Sequence, residues 1–374
     1  MPVFDLTEAE LRARTSLKWN RYPADVLPMW VAEMDSRPHP QVGAALTAAA
    51  ERGDTGYAWG RQYPQAFQRM AANRWNWEIP DSLIIPAQDV VANMLHCVLT
   101  LTEPGDGVVV NPPIYPPFRQ VVQDYSRRVV EAPLTEAGRL DFGTVEAAFR
   151  QTPKPALWLL CSPHNPTGTV HTAAELQACA AIAAEYGVQL VVDEIHQLLV
   201  DPDADTPFIP VLTLPGSQRV AVTTSAGKAW NVAGLKGGLI MAGPEAPMDK
   251  IRHGVERQGG HLAYIAHTAA ITHAQGWVDE VRAEVAANKL HLAAELARRL
   301  PEARYLPAPG TYLAWVDCSG LGLDDPQRAF LERGRVAFNS GSEYGQAHRK
   351  WVRVNLACRR DFVTEAVARM AACV

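Results

Sequence analysis

Five short runs, 108-VVVN-111, 156-ALWLLC-161, 189-QLVVD-193, 220-VAVTT-224 and 238-GLIMA-242, are almost wholly apolar and alternate with segments of helical pattern. A strand with one face in water alternates apolar and polar side chains, whereas a strand buried on both faces has no reason to. Strands of the second kind belong to sheets covered by helices on both sides. Between the second and third runs, 172-TAAELQACAAIAAEYG-187 opens on a Thr-x-x-Glu capping box (Thr172, Glu175) and stops at Gly187, which completes a strand–helix–strand unit. The pattern predicts an α/β domain with a mostly parallel sheet.

A chain of 374 residues, 48% hydrophobic, has material for one large core and a smaller one. The second region opens at 276-GWVDEVRAEVAANKLHLAAELARRLP-301, where Val278, Val281, Val285, Leu292, Leu296 and Leu300 fall near helical spacing. Three strand-like runs follow, 311-TYLAWVD-317, 334-GRVAFN-339 and 351-WVRVNLAC-358, with helices between and after them. A small α+β domain is expected there, made of residues 1–40 plus 276–374, beside a large domain of residues 41–275.

The formal charge of −5 is not gathered into a basic stripe or tail, so neither nucleic acid nor an anionic membrane is the expected partner. No apolar run approaches the roughly 20 residues of a membrane span. The opening MPVFDLTEAELRART lacks a basic-then-apolar leader pattern, and a cytoplasmic location is expected. The six cysteines form no C-x-x-C pair and lie mainly in apolar segments, as reduced core thiols do; no disulfide, zinc or other metal site is expected.

In α/β sheets ligands collect beyond the carboxyl ends of the strands. The residues found there are 112-PPIYPPF-118, 162-SPHNPTG-168, 193-DEIH-196 and 225-SAGK-228. Taken singly, Asp193 also reads as a helix cap, Asn165 to Gly168 as a turn, Tyr115 as core packing and Lys228 as a solvated loop lysine. Together they bring a carboxylate, an amide, an aromatic ring, a hydroxyl and an amine to one edge. Of 35 basic residues only seven are lysine, so lysine is the exception here. An amine can lose its proton and form a Schiff base, which a guanidinium cannot.

On these residues the sequence resembles the fold-type I pyridoxal-phosphate enzymes of the aminotransferase class I/II superfamily. The segments 30-WVAEMDSRPHP-40, 56-GYAWG-60, 161-CSPHNPTG-168, 193-DEIH-196, 311-TYLAWVD-317 and 352-VRVNLAC-358 resemble its cystathionine β-lyase or C–S lyase subgroup. The resemblance implies pyridoxal phosphate held by Lys228, with Asp193 facing the pyridine nitrogen and Asn165 and His196 near the phenolic oxygen. It implies Tyr115 stacked on the ring. Ser225, the amides of Val90 and Val91, and Lys236 are the implied phosphate contacts, although Lys236 also reads as a solvated side chain. Arg353 is the implied clamp on the substrate α-carboxylate, and Tyr57 the residue that reaches a partner's site in a homodimer.

The reaction so implied is β-elimination from L-cystathionine or another S-substituted cysteine, with Lys228 as base. Two alternatives share the scaffold: an aminotransferase, and a regulatory protein that binds a transcription activator.

Overall fold

The computed structural model describes residues 2–255 and 258–374. Strand β1 (Leu27–Pro28) lies in a smaller lobe. Seven strands then build the main sheet: β2 (Ile84–Ala87), β3 (Gly107–Val110), β4 (Arg128–Glu131), β5 (Pro155–Cys161), β6 (Gln189–Asp193), β7 (Ala221–Thr224) and β8 (Gly238–Ala242). The smaller lobe resumes with β9 (Leu313–Asp317), β10 (Val336–Ala337), β11 (Asn339–Ser340) and β12 (Trp351–Asn355).

The main sheet has the order β2-β8-β7-β6-β5-β3-β4. Pairings from β7 through β4 are parallel, and only β8 runs against its neighbours. The mostly parallel α/β sheet expected from the sequence is thus present. Successive residues of one strand enter different cores. Trp158, Leu160, Val192 and Val222 pack on one face, and Leu157, Leu159, Val191 and Ala221 on the other. Both faces being covered explains why the runs show no alternation. The helix Ala173–Tyr186 starts at the Thr172–Glu175 capping box and ends at Gly187, whose φ of +63° a glycine accepts without strain.

Two strands of the main sheet, β2 and β4, were not foreseen, and both are its edges; the two-residue β1 of the smaller lobe was not foreseen either. β2 contains Pro86, which reads as a breaker but is tolerated where one side of a strand needs no ladder bond. β4 is half exposed and too short for a pattern. A second difference lies at 334–339, expected as one strand. Val336–Ala337 pairs in parallel with Leu27–Pro28, and after Phe338 the chain changes partner, so that Asn339–Ser340 runs antiparallel to β12.

In the smaller lobe, β11, β12 and β9 form an antiparallel sheet covered by the 25-residue helix Gln275–Arg299 and the helix Arg360–Ala371. Leu6, Leu11, Trp19, Leu27 and Met29 share its core with Leu292, Val316, Val354 and Val367. All six cysteines are buried thiols.

The turn after β5 depends on Gly168. Its φ is +72°, and a Cβ there would lie 2.8 Å from Ala308 Cβ and 2.9 Å from the Gly310 carbonyl oxygen. Gly168→Ala combines left-handed strain with a clash against backbone, so it is expected to cost about 2 to 4 kcal/mol. Urea denaturation with an unchanged m-value reads this loss as a lower midpoint; a midpoint equal to the parent's refutes it.

Candidate active site

The carboxyl ends of three neighbouring strands are level: Cys161 is in register with Asp193, and Asp193 with Thr223. The loop leaving β5 is tied to the next strand by Ser162 N donating to Asp193 O (2.9 Å). It turns back at Gly168, where Gly168 N donates to His164 O (2.9 Å), and this brings Asn165 to the cleft. Tyr115 N donates to the Asn165 carbonyl (3.2 Å), which fixes the tyrosine loop against the asparagine loop.

Asn165, Asp193, His196, Ser225, Lys228 and Tyr115 line one cavity of about 340 Å³, together with Val90, Val91, Lys236 and Arg353. All the residues singled out by the sequence are therefore brought together except Tyr57, which is fully exposed on the surface of the chain.

The Lys228 side chain is half-buried in the cavity, and its amine donates to the Ala32 carbonyl (2.8 Å). Burial pulls its pKa down to about 8; Arg353 and Lys236 push the same way, and Asp193 and Glu33 oppose them. Burial also lifts Asp193 to about 7, against the stabilising amide of Ile195 (2.9 Å) and the charge of Lys228. His196 is buried, with its pKa driven well below the ordinary value by desolvation and then by Lys228 and Arg353. Its ring is neutral, packs near-perpendicular to Tyr312, and has Nδ1 without a hydrogen-bond partner.

Arg353 pairs in register with Asn339 across β11 and β12. Its Nη1 donates to Asn165 Oδ1 (3.1 Å), and its Nη2 to Asn339 Oδ1 (2.8 Å) and the Trp30 carbonyl (3.3 Å). The guanidinium lies 5.2 Å from the centre of the Tyr344 ring, and its buried Nε has no partner. Among the described residues no carboxylate pairs with it. A buried cation held only by neutral oxygens costs several kcal/mol, and an anionic ligand relieves that cost.

At the far end of the cavity the helix Val90–Leu101 presents its first turn, capped by Asp89 Oδ1 on Ala92 N (3.0 Å). Asp89 Oδ2 also pairs with the mostly exposed Lys236 (2.9 Å), so this lysine is engaged with a carboxylate and is not simply solvated. Ser225 Oγ donates to the Gly237 carbonyl (2.6 Å) and accepts from Gly227 N (3.0 Å). Asp89 was overlooked in the sequence, although an Asp directly before an apolar helical run is a usual cap signal.

The Ala32 carbonyl was missed as well, and nothing in an alanine side chain announces it. It also accepts from Tyr312 Oη (3.0 Å). The segment around it is strapped down. Asn355 Nδ2 donates to the carbonyls of Val31 and Glu33 (2.7 Å each), and Asn231 exchanges two 2.9 Å bonds with the backbone of Met34. The buried Lys18–Asp35 pair (2.8 Å) lies beneath, with Trp19 Nε1 on Asp35 Oδ1 (2.8 Å).

These groups fit pyridoxal phosphate. An amine of lowered basicity stands for the aldehyde, a buried carboxylate for the pyridinium and a tyrosine for the ring face. The unpartnered His196 Nδ1 and the helix start are the remaining polar contacts.

A family model described as aminotransferase class I and II matches residues 15–370. A Mycobacterium tuberculosis protein provisionally named cystathionine beta-lyase is 41% identical, over 99% of this chain and 97% of its own length. Cystathionine beta-lyase PatB of Bacillus subtilis is 31% identical over 99% of both chains. A crystal structure from Corynebacterium diphtheriae, provisionally described as a PLP-dependent beta-cystathionase, superposes with a TM-score of 0.92 at 30% identity, covering 99% of this chain and 98% of that one.

In cofactor-free protein, borohydride-trapped attachment of pyridoxal phosphate at Lys228 is expected to rise with pH through about 8, below the ordinary lysine value of 10.5. Asp193→Asn removes an attractive charge and moves that midpoint lower. Peptide mapping by mass spectrometry reads both, and a midpoint near 10.5 contradicts the burial argument.

Proposed function

The chain belongs to the aminotransferase class I and II family, and from that premise we propose that its cavity is the site of a pyridoxal-phosphate-dependent carbon–sulfur β-lyase. The observation that carries the reading is the meeting of Lys228 and Arg353 in one buried cavity, an amine of lowered pKa beside a guanidinium without a carboxylate. The names of the relatives assign the reaction to the sulfur–carbon bond of L-cystathionine or a related S-substituted cysteine. The net change is thioether amino acid plus water to thiol, pyruvate and ammonia.

Pyridoxal phosphate, when bound, supplies an electron sink for the pair left by a broken Cα–H bond. Lys228 Nζ, neutral in a useful fraction near neutral pH, takes the Cα proton. Arg353 holds the α-carboxylate through two N–H groups and so fixes the orientation of the Cα–H bond. With the cofactor bound, Asp193 would supply negative charge to the pyridine nitrogen, and Asn165 and His196 would offer polar contacts to the phenolic oxygen. Tyr115 would lie against the ring. The amides of Val90 and Val91 with Ser225 would hold the phosphate, and Lys236 would add positive charge there.

The cofactor-binding unit is residues 41–275, and residues 1–40 plus 276–374 supply Arg353 and the strap. No helix among the described residues is long and apolar enough to cross a membrane, and a cytoplasmic enzyme of small amino acids fits this chain. Tyr57 stands with Trp59 as an exposed aromatic pair outside the cavity. Such a pair suits an interface, and in a homodimer Tyr57 enters the partner's site.

Purified protein given L-cystathionine and no keto acid is expected to release pyruvate, ammonia and homocysteine over many turnovers. A single stoichiometric event, restarted only by added keto acid, assigns it to amino transfer instead. Arg353→Ala is expected to raise KM by about 30-fold or more, with a smaller loss of kcat, since it leaves the substrate carboxylate unpaired.

Mixing Lys228→Ala and Tyr57→Ala chains under refolding conditions gives hybrid dimers with one unmutated site if Tyr57 serves the partner. Activity is then expected to return in the mixture. Failure to recover any activity, with dimers formed, rules out the shared site.

A further inference from the structure

Resting on the reading of the cavity as a pyridoxal-phosphate site, we infer that Tyr63 and His267 are a positioning pair. They fix Ser225 and its loop for the phosphate of the cofactor, and so set how far the phosphorylated aldehyde is preferred over unphosphorylated pyridoxal. Both side chains are fully buried, and neither is among the residues that line the cavity. Tyr63 lies in the first turn of the helix Gln62–Trp75, and His267 in the middle of the helix His261–His273. Their rings meet edge to face, 5.2 Å between centres.

The direction of each hydrogen bond follows from the chemistry of the partners. His267 Nε2 lies 2.9 Å from the Leu235 carbonyl oxygen, which can only accept, so Nε2 carries the proton. Burial holds the imidazole at a pKa of about 4, and the ring is neutral with Nδ1 bare. Nδ1 therefore accepts from Tyr63 Oη at 3.2 Å. With its proton committed, Tyr63 Oη has only lone pairs to offer, and it accepts from Ala226 N (3.2 Å). Burial lifts the Tyr63 phenol above its ordinary pKa, and the Ala226 amide and the Ser225 hydroxyl oppose that rise.

The pair thereby joins two segments that meet at Ser225. One is the loop 225–228, held at the Ala226 amide, and the other is 235–237, held at the Leu235 carbonyl. Gly237 lies against the imidazole, for a Cβ there would come within 3.3 Å of Nδ1. Ser225 Oγ closes the span by donating to the Gly237 carbonyl (2.6 Å) and accepting from Gly227 N (3.0 Å). Tyr264, on the same helix as His267, stacks on Tyr63 at 5.6 Å and donates to the Ala87 carbonyl (3.0 Å), three residues before the helix start at Val90. The segments that offer phosphate contacts are thus tied to one buried strut, whereas the Lys228 amine is held separately by the Ala32 carbonyl.

The test titrates cofactor-free protein with pyridoxal phosphate and with pyridoxal, following attachment at Lys228 by absorbance and by borohydride trapping with peptide mapping. Tyr63→Phe is expected to weaken pyridoxal phosphate binding by about five- to tenfold, the scale of one buried amide left without an acceptor. Pyridoxal binding should stay within about twofold, and the pH midpoint of trapping should stay at about 8. His267→Asn puts a side-chain oxygen where Nδ1 stood and is expected to keep most of the preference for the phosphorylated aldehyde, whereas His267→Leu is expected to lose it. In a Ser225→Ala background Tyr63→Phe should add no further phosphate-specific loss.

Equal weakening of both aldehydes in Tyr63→Phe means that the pair only supports the fold, and it overturns the inference. So does a further phosphate-specific loss in the Ser225→Ala background, or the same preference in both His267 variants, which decide the matter alone should Tyr63→Phe not fold. A parent protein that attaches neither aldehyde at Lys228 overturns the cofactor reading and the inference with it. The expected ranking in a protein that forms no pyruvate from L-cystathionine supports the inference and overturns the β-lyase reading alone.

Discussion

The bond from the Lys228 amine to the Ala32 carbonyl is the contact on which the site depends. It places a desolvated amine, kept near a pKa of 8, against a backbone oxygen of the segment that closes the cavity. Arg353 is buried close by on neutral acceptors of its own, and its charge makes the Lys228 cation harder to hold. Asp193 and Glu33 offset part of that repulsion. Such an arrangement persists only because the surrounding structure over-determines it, and an anionic ligand would relieve it.

The over-determination comes from both lobes. The main sheet buries alternate residues of each strand in separate cores, so its strands cannot slip by one residue without reversing both. That rigidity holds Cys161, Asp193 and Thr223 level and sets the loops that carry Asn165, His196, Ser225 and Lys228. The smaller lobe acts through the strap. Asn355 occupies the carbonyls on either side of Ala32, leaving the Ala32 oxygen to Lys228 and Tyr312. Asn231, three residues beyond Lys228, bonds the backbone of Met34, so the loop that bears the amine also grips the segment that receives it.

Much of this was legible in the sequence because it rests on side-chain chemistry. Continuous apolar runs report double burial, Thr172 and Gly187 report a helix with its stops, and a rare lysine after a buried strand reports an amine of lowered pKa in the cavity. Features that rest on backbone or context left less trace. The role of the Ala32 carbonyl is invisible in residue 32, and Pro86 hid an edge strand. For Tyr57 a role rests on resemblance alone, because in the single chain it is fully exposed outside the cavity. Lys236 was read as either a phosphate contact or a solvated side chain. Its pairing with Asp89 shows how a cap residue, unremarked in the sequence, can fix the position of a neighbouring cation.

The run 334-GRVAFN-339 shows how an error about local structure bears on chemistry. As one uninterrupted strand it would keep Asn339 in the ladder with Leu27–Pro28, away from β12. The change of partner at Phe338 instead sets Asn339 opposite Arg353, where paired residues of an antiparallel ladder project to the same face. Its amide can then accept from the guanidinium and offer its NH₂ group to Glu343. Trp315, paired with Arg353 on the other side, supports the same row against the Tyr344 ring. The orientation of the Arg353 guanidinium and its link to the Glu343 carboxylate therefore follow from a single break in a six-residue run. That break is specified by tertiary pairing, which no local periodicity encodes.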